Sequence, residues 1–321
     1  MRRAAAAVAL AAALAGFAGC GSGGTGGSAG TDRRATASAT DRRRPPSGPA
    51  IVAAMAALPG GGLRTGELTT GVVRDLDAAA RPVGPVLTRV PVSTGGQRGL
   101  LGLAVVPGGP TYAAYTERGG RRRLVVAQIL PGPVRRVWTG PPSTDLADGG
   151  HLALLGVRLV VGVGDLQDPA RTPDAATPNG KLLSLDPAGP PSQRPLVLSR
   201  GWNNPYAFVP YPGTGGPGVL VADNAPGTRP ERIARGDAGG GAPQDVTNLP
   251  RRVAPSGLAV LTPTQVAVCG VRSGRLERYR RRGGRWVAAG TISRRCAFGA
   301  TALTSGRLAV STAAGVRTVR P

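Results

Sequence analysis

The chain has 321 residues, of which 51 are glycine and 31 are proline. Together they make up about a quarter of the chain, which excludes a helical bundle and favours short strands joined by tight turns. The formal net charge is +23, but the arginines are scattered and aromatic residues make up only 3%. The sequence therefore predicts no nucleic-acid partner, and instead a cationic surface that faces anionic envelope polymers or lipids.

The N-terminus has the pattern of a bacterial export signal. Two arginines at positions 2 and 3 precede an apolar core, residues 4–17, that is too short for a permanent membrane helix. The motif FAGC, which ends at Cys20, resembles the lipobox of bacterial lipoproteins, with Phe17 where leucine is usual. We expect residues 1–19 to be a signal peptide and Cys20 to carry the lipid that anchors the exported protein to the outer face of the cytoplasmic membrane. The alternative is a plain secretory signal.

The next segment, residues 20–48, is rich in Gly, Ser, Thr and Arg and predicts a flexible tether. The folded domain is therefore expected to span residues 49–321. With 41% hydrophobic residues the chain can bury a core.

A hairpin pattern recurs six times along this domain. Each copy opens with an alanine and an apolar residue, continues through a turn and ends in a second apolar strand. The opening alanines are Ala57, Ala104, Ala153, Ala207, Ala259 and Ala302. Intervals of about 40 to 55 residues that hold up to four short strands are typical of propeller blades. The sequence predicts an all-β, six-bladed β-propeller with these alanines on its innermost strands, and an all-β sandwich is the alternative.

Outer strands of the blades are predicted where short segments alternate in polarity, at residues 71–76, 123–129 and 276–280. Few residues follow Ala302, so the last blade is expected to be incomplete from the C-terminus. We expect a segment near residues 51–55 to close the ring.

Six short motifs occur along the chain in this order: QRGLLGLA (97–104), DGGHL (148–152), VGD (163–165), GKLL (180–183), GWNNP (201–205) and APSGL (254–258). Together they resemble the soluble glucose/sorbosone dehydrogenase family over roughly residues 49–321. Active members of that family are six-bladed propellers that hold pyrroloquinoline quinone (PQQ) and calcium and oxidise sugars. The resemblance implies PQQ and calcium as cofactors and Gln97 as a sugar contact.

The resemblance also identifies what has changed at the catalytic centre. The family's basic histidine aligns with Ala147, and an alanine side chain cannot accept a proton. The family's quinone-contacting arginine aligns with Asn203, whereas the neighbouring asparagine is kept as Asn204. No catalytic residue is therefore intact. The candidates for substrate or cofactor binding are Gln97, Asp148, His151, Trp202, Asn203 and Asn204.

Calcium in active members is held partly by backbone carbonyls, which the resemblance places at Asn224, Ala225 and Pro226. Four aspartates close in sequence could also bind a cation or act as acid and base: Asp148, Asp165, Asp168 and Asp174. Asp165 ends a predicted strand, so we interpret it as a turn cap. His151, the only histidine, begins a strand and is interpreted as an ordinary strand-end residue.

Cys269 and Cys296 are the two cysteines left after Cys20, and each adjoins a short apolar segment. Export permits a disulfide, so the sequence predicts that they pair, with two free thiols as the alternative.

Two functional classes follow from these patterns. The first is a monomeric, exported lipoprotein that binds a carbohydrate or an envelope protein at the propeller mouth without catalysis. The alternative is an active quinone-dependent oxidoreductase that acts on a sugar or a related alcohol.

Overall fold

A computed structural model describes residues 50–213, 216–225, 229–237 and 239–321. The predicted signal peptide, the lipidation site at Cys20 and the tether lie outside the described residues, as does Pro226. Within the described part, no helix is long and apolar enough to cross a membrane. The one helical element there is a short 3-10 turn, Pro169–Arg171.

The described chain forms six antiparallel sheets, each a meander of consecutive strands. Blade 1 comprises β1 (Val52–Ala57), β2 (Leu63–Glu67), β3 (Val72–Leu76) and β4 (Pro82–Arg89). Blade 2 comprises β5 (Leu100–Val105), β6 (Thr111–Thr116), β7 (Arg123–Leu130) and β8 (Arg135–Pro142). Blade 3 comprises β9 (Gly149–Leu155), β10 (Arg158–Val163), β11 (Lys181–Leu185) and β12 (Leu196–Arg200).

The second half of the chain repeats this pattern. Blade 4 comprises β13 (Asn204–Gly213), β14 (Gly216–Asn224), β15 (Arg232–Asp237) and β16 (Gln244–Asn248). Blade 5 comprises β17 (Pro255–Thr262), β18 (Gln265–Gly270), β19 (Arg275–Arg282) and β20 (Arg285–Ser293). Blade 6 has three strands, β21 (Gly299–Ala302), β22 (Leu308–Thr312) and β23 (Gly315–Val319).

The first strands of the six blades form a closed ring, because β1, β5, β9, β13, β17 and β21 each contact the next and β21 contacts β1. All six predicted alanines lie on these first strands, so the six-bladed propeller is confirmed. The predicted outer segments are the third strands β3, β7 and β19. Small side chains suit the innermost strands because the sheets crowd towards the axis there.

Each pair of neighbouring blades buries an apolar cluster between facing sheets. Blades 2 and 3, for example, enclose Leu124, Val126 and Leu159, and blades 4 and 5 enclose Tyr211, Val266 and Trp286. One blade cannot cover both of its own faces, so stacking around the ring provides the core.

The expectation that residues 51–55 close the ring as a strand of the last blade is wrong. Residues 52–55 of this segment begin β1, which pairs with β2 inside blade 1. The ring is closed instead by packing between the facing sheets of blades 6 and 1. At this interface, Met55 packs with Leu303 and Ala309. The Ser311 hydroxyl also donates to the Val52 carbonyl at 2.5 Å.

The predicted disulfide between Cys269 and Cys296 is present. It joins β18 of blade 5 to the loop that leads into blade 6, and both sulfur-bearing residues are buried. The covalent bond therefore crosses one of the six blade interfaces.

Candidate functional site

A pocket of about 720 Å³, including its open part, lies at the centre of the end where the first strands begin. We call this end the mouth. The lining comes from the starts of first strands and from the loops beside them. It consists of Ala53, Leu68, Gly96, Gln97, Leu101, Leu146, Asn204, Tyr206, Asn224, Ala254, Pro255, Ser256, Val271 and Phe298. Three of these are site residues that the sequence predicts, namely Gln97, Asn204 and Asn224.

An irregularity in strand pairing recurs at the mouth end of the first strands. The register shifts at this end in blades 1 to 5, for instance between Leu100 and Gly102 and between Asn204 and Ala207. A bulge re-aims the side chains next to it. This local geometry helps to turn Leu101, Asn204 and Tyr206 to the pocket.

Gln97 and Asn204 form the polar wall of the pocket. The Gln97 side-chain oxygen accepts a hydrogen bond from the Ala147 N–H at 2.7 Å, and it lies 3.5 Å from the Asn204 Nδ2 donor. The Asn204 Oδ1 atom is buried and has no partner among the described residues. A buried acceptor without a donor is unfavourable, and this one lies against Gly164, where an added Cβ would be 3.0 Å from it.

Ala147, which the sequence resemblance places at the position of the basic histidine, is buried and has a positive φ of 58°. Its backbone N–H is occupied by Gln97 and its carbonyl accepts the Leu166 N–H at 3.2 Å. Gly150, which follows closely, has a φ of 94°, and an added Cβ would lie 2.5 Å from the Leu101 side chain. The loop is thus fixed tightly by its backbone, and the Ala147 side chain offers only a methyl group.

A buried carboxylate holds the chain that leads to Asn204. Asp223 is fully buried and accepts the backbone N–H groups of Asn203 and Asn204 at 3.1 and 2.9 Å and the Asn203 Nδ2 at 2.9 Å. Arg232 pairs with the same carboxylate at 3.0 Å. Sequence reasoning missed both roles, since neither residue type nor spacing indicates which aspartate faces a neighbouring loop.

Two predicted binding residues are committed to this network. The Asn203 side chain is bound to Asp223, and Trp202 is fully buried under the Arg232 guanidinium, 5.3 Å from the ring centroid. The indole N–H donates to the Ser199 hydroxyl at 3.2 Å. Neither residue lines the pocket, so their placement assigns them to the support of Asn204.

Tyr206 forms the floor of the pocket. It projects from β13 of blade 4, and its hydroxyl lies 3.4 Å from the Ala53 carbonyl of blade 1 and 3.3 Å from the Leu101 carbonyl of blade 2. Its side chain therefore crosses the central axis. Burial raises its pKa above the usual value, so the phenol stays protonated at neutral pH. Alternation along β13 from Asn204 is the signal that could have identified it.

His151 lies beside this floor and not on the pocket wall. Its ring packs edge-on against Phe208 at 4.7 Å and Tyr206 at 6.2 Å. Burial lowers its pKa to about 4. The imidazole is therefore neutral at pH 7 and a weak base.

The aspartates near the mouth serve local structure. Asp148 is buried and accepts the Thr144 N–H at 2.7 Å and hydroxyl bonds from Ser143 and Thr144, while burial raises its pKa. Asp165 accepts the Gln167 N–H at 3.0 Å, which is the geometry of the predicted turn cap, and it pairs with Arg229. Among the described residues, no three His, Cys, Asp or Glu side chains lie close enough to hold a metal ion.

The carbonyl position suggested for calcium is already in contact with a cation. Asn224 lines the pocket, but the Ala225 carbonyl accepts a hydrogen bond from Arg252 at 3.2 Å. A guanidinium at this oxygen opposes a second positive charge. The described residues therefore do not fit calcium, and Pro226 lies outside them.

Charge is distributed unevenly around the mouth. In blades 1 to 3, the mouth loops carry six carboxylates and five arginines. In blades 4 to 6 they carry six arginines and the single carboxylate of Glu231. We call these six residues the arginine arc: Arg229, Arg251, Arg252, Arg272, Arg294 and Arg295. The arc borders the pocket wall formed by Ala254, Val271 and Phe298.

Comparison with known proteins gives a structural likeness. No protein-family model and no curated protein sequence matches the chain. It is similar to a putative glucose dehydrogenase from Thermus thermophilus at 25% identity and a TM-score of 0.70, covering 85% of this chain and 97% of that one. It is also similar to the soluble aldose sugar dehydrogenase of Escherichia coli at 18% identity, with a TM-score of 0.69 and coverage of 84% and 95%.

A third solved structure is the PQQ-bound aldose sugar dehydrogenase of Streptomyces coelicolor, at 22% identity and a TM-score of 0.66, covering 85% and 94% of the two chains. The fold is thus that of soluble sugar dehydrogenases. PQQ is a planar tricarboxylate, whereas the described lining holds amides, hydroxyls and apolar groups and no cation. The residue at the expected arginine position, Asn203, is turned away to Asp223. The lining residues therefore do not fit the quinone.

Proposed function

We propose that this protein is an exported, lipid-anchored binding protein that holds a saccharide in its mouth pocket and does not oxidise it. One observation carries the proposal. The pocket keeps the hydrogen-bonding amides Gln97 and Asn204, but its described lining includes neither a proton-accepting base nor a cation. Ala147 stands where the family's base would be, and its N–H is bound to Gln97.

The polar wall suits sugar hydroxyls. Gln97 Nε2, which forms no hydrogen bond to the described residues, can donate to a sugar hydroxyl, and the Asn204 amide beside it can bond to a second hydroxyl once it rotates towards the pocket. Leu101 and Phe298 supply apolar surface on which the C–H face of a pyranose ring can pack. A small number of placed polar groups in an apolar pocket is the usual form of a small-molecule site.

The arginine arc adds a preference for charge. A saccharide longer than the pocket would extend over this rim, where Arg272 and Arg295 are exposed. Complementary charge at a rim raises association rate and selectivity. We therefore propose that saccharides bearing carboxylate or phosphate groups bind more tightly than neutral ones with the same ring.

The alternative function, quinone-dependent sugar oxidation, is favoured by the fold and by the retention of Gln97 and Asn204. Sugar oxidation requires a group that takes the hydroxyl proton as hydride leaves, and general-base catalysis is worth about 10² to 10⁴ in rate. His151, the only histidine, is beside the floor and neutral with a lowered pKa. The geometry thus supports binding better than oxidation.

Calorimetric titration with a panel of mono- and oligosaccharides tests the proposal. Asn204→Ala should weaken binding about tenfold or more, as expected for a lost buried hydrogen bond of about 1 to 3 kcal/mol. Asn248→Ala, the same change on the exposed outer strand β16, is the control and should bind as the unmodified protein does. The proposal would be contradicted if the protein bound no saccharide, or if both variants bound with equal affinity. If the protein bound an envelope protein instead, the result would favour the protein-binding alternative.

A further inference from the structure

Positive charge is concentrated in blades 5 and 6. Residues 246–321, which include both blades, contain fourteen arginines and one acidic residue, Glu277. Residues 50–245 contain nineteen basic residues and fourteen acidic ones. The side chains of the smaller part therefore carry a formal charge of +13, against +5 for the larger part. One side of the propeller is strongly cationic.

Four of these arginines lie on one face of the outer hairpin of blade 5, formed by β19 and β20. Leu276 of β19 packs in the apolar cluster shared with blade 6, and alternate residues of a strand share a face. Arg278, Arg280 and Arg282 therefore lie on the same face as Leu276. Arg285 of β20 is directly opposite Arg282 and shares that face too. We call these four residues the arginine stripe.

The arginine stripe has no ion-pair partner among the described residues. Glu277 and Asp245 form the ion pairs of this region, and both pair with arginines outside the stripe. Arg280, Arg282 and Arg285 are exposed. Like charges directly opposite each other in adjacent strands destabilise a sheet, and Arg282 and Arg285 form such a pair. An anion bound between them removes this repulsion.

We propose that the arginine stripe binds a linear phosphodiester polymer of the cell envelope. A guanidinium group binds phosphate oxygens through paired hydrogen bonds. Arginines at every second residue of β19 lie about 7 Å apart along the strand, which suits a chain whose charges repeat. Single-stranded nucleic acids are held partly by aromatic stacking, but the aromatic side chains of this hairpin, Tyr279 and Trp286, are buried against blade 4.

The arginine stripe is separate from the mouth pocket. It runs from the middle of β19 to the turn at residues 283–284, at the end of the propeller opposite the mouth. The eight residues of β19 place this turn about 27 Å from the arginine arc, so a short oligosaccharide in the pocket does not reach it. The stripe thus gives the protein a second attachment besides the predicted lipid anchor, and one that salt weakens.

Calorimetric titration of the full chain with a long polyglycerol phosphate tests the proposal. This probe has no sugar ring, so the result does not depend on what the pocket binds. The tether also carries arginines, at positions 33, 34 and 42–44, so the decisive quantity is the difference between variants. Arg282→Glu with Arg285→Glu should weaken binding about tenfold or more at low salt. The slope of the logarithm of the association constant against the logarithm of salt concentration should become shallower by about 0.7 for each arginine lost.

Arg121→Glu with Arg194→Glu is the matched control, because it makes the same change in net charge at two exposed loop positions of blades 2 and 3. It should bind the polymer as the unmodified protein does, and both double variants should keep the urea midpoint. No polymer binding at low salt, or equal losses in the two double variants, would overturn the proposal. So would stripe-dependent binding to phosphatidylglycerol vesicles without polymer binding, or tighter binding to a single-stranded oligonucleotide of equal charge.

Discussion

Lys181 is the only lysine in the sequence, and it is fully buried. Its ammonium group donates hydrogen bonds to the carbonyls of Thr172 at 2.9 Å and Asn179 at 2.5 Å. These two bonds hold the long loop between β10 and β11 in place beside the mouth. Burial is the main cause that lowers the Lys181 pKa to about 8 from 10.5. The unfolded chain therefore holds this proton at pH values where the folded chain has released it.

The sign and size of the effect follow from linkage. Between pH 8 and 10.5 the unfolded state binds more protons, so the free energy of unfolding rises with pH. With the two pKa values above, Lys181 contributes an increase of about 2 kcal/mol between pH 7 and pH 9.5. Above about pH 10 the buried tyrosines act in the opposite direction, because burial raises the pKa values of Tyr206 and Tyr279.

Urea unfolding at pH 7.0, 8.0, 8.8 and 9.5 measures this increase. Lys181→Met removes the titrating group, so its unfolding free energy should lack the rise, and Lys181→Arg should lack it too because arginine stays charged. The difference between the unmodified protein and each variant isolates Lys181 from all other groups. A rise of equal size in all three proteins would refute the reasoning.

Three further predictions concern the disulfide, the arginine arc and the buried carboxylate. Cys269→Ser with Cys296→Ser should lower the free energy of unfolding by roughly 3 to 4 kcal/mol, as expected from closing a loop with a sequence separation of 27 residues; a loss below about 1 kcal/mol would contradict this. Arg272→Glu should weaken binding of an acidic oligosaccharide about three- to tenfold and leave the affinity for a neutral oligosaccharide unchanged, and high salt should reduce the loss. Arg285→Glu, at the hairpin tip far from the mouth, should change neither affinity. Asp223→Asn should destabilise the fold by about 3 to 5 kcal/mol, since it leaves a partly buried arginine without its carboxylate, and an unchanged urea midpoint would show that the network carries little energy.

The repeating architecture could be predicted because it depends on local patterns. A first strand such as β5 carries its alanine, its turn and its second strand within about fifteen residues, so the pattern is visible in the sequence alone. The disulfide was predictable for a different reason, since only two cysteines remained once Cys20 was set aside.

The closing segment and part of the site were not predictable in this way. From the sequence, residues 51–55 could either complete blade 6 or begin blade 1. The outcome depends on the pairing of β1 with β2, and both of these strands belong to blade 1. Trp202 and Asn204 are two residues apart, yet the first is in the core and the second lines the pocket, because Asp223 and a bulge fix the backbone between β12 and β13. Such contacts join distant parts of the chain and leave no periodic signal.

The arginine at the suggested calcium position shows the same limit. Arg252 and Ala225 are far apart in sequence, and carbonyl ligation leaves no trace in side-chain identity. A motif could therefore suggest a cation site there, but only the fold shows that the chain supplies its own cation.

Dye-coupled sugar oxidation by the unmodified protein, supplied with PQQ and calcium, tests the central claim most directly. A PQQ-dependent aldose dehydrogenase assayed in parallel confirms that the reagents are active. The Ala147→His variant, alone and combined with Asn203→Arg, tests whether a base at this position restores turnover. We expect the unmodified protein to remain at background while still binding saccharide by calorimetry. Sugar oxidation by the unmodified protein at a rate comparable to that of the parallel enzyme would contradict the account.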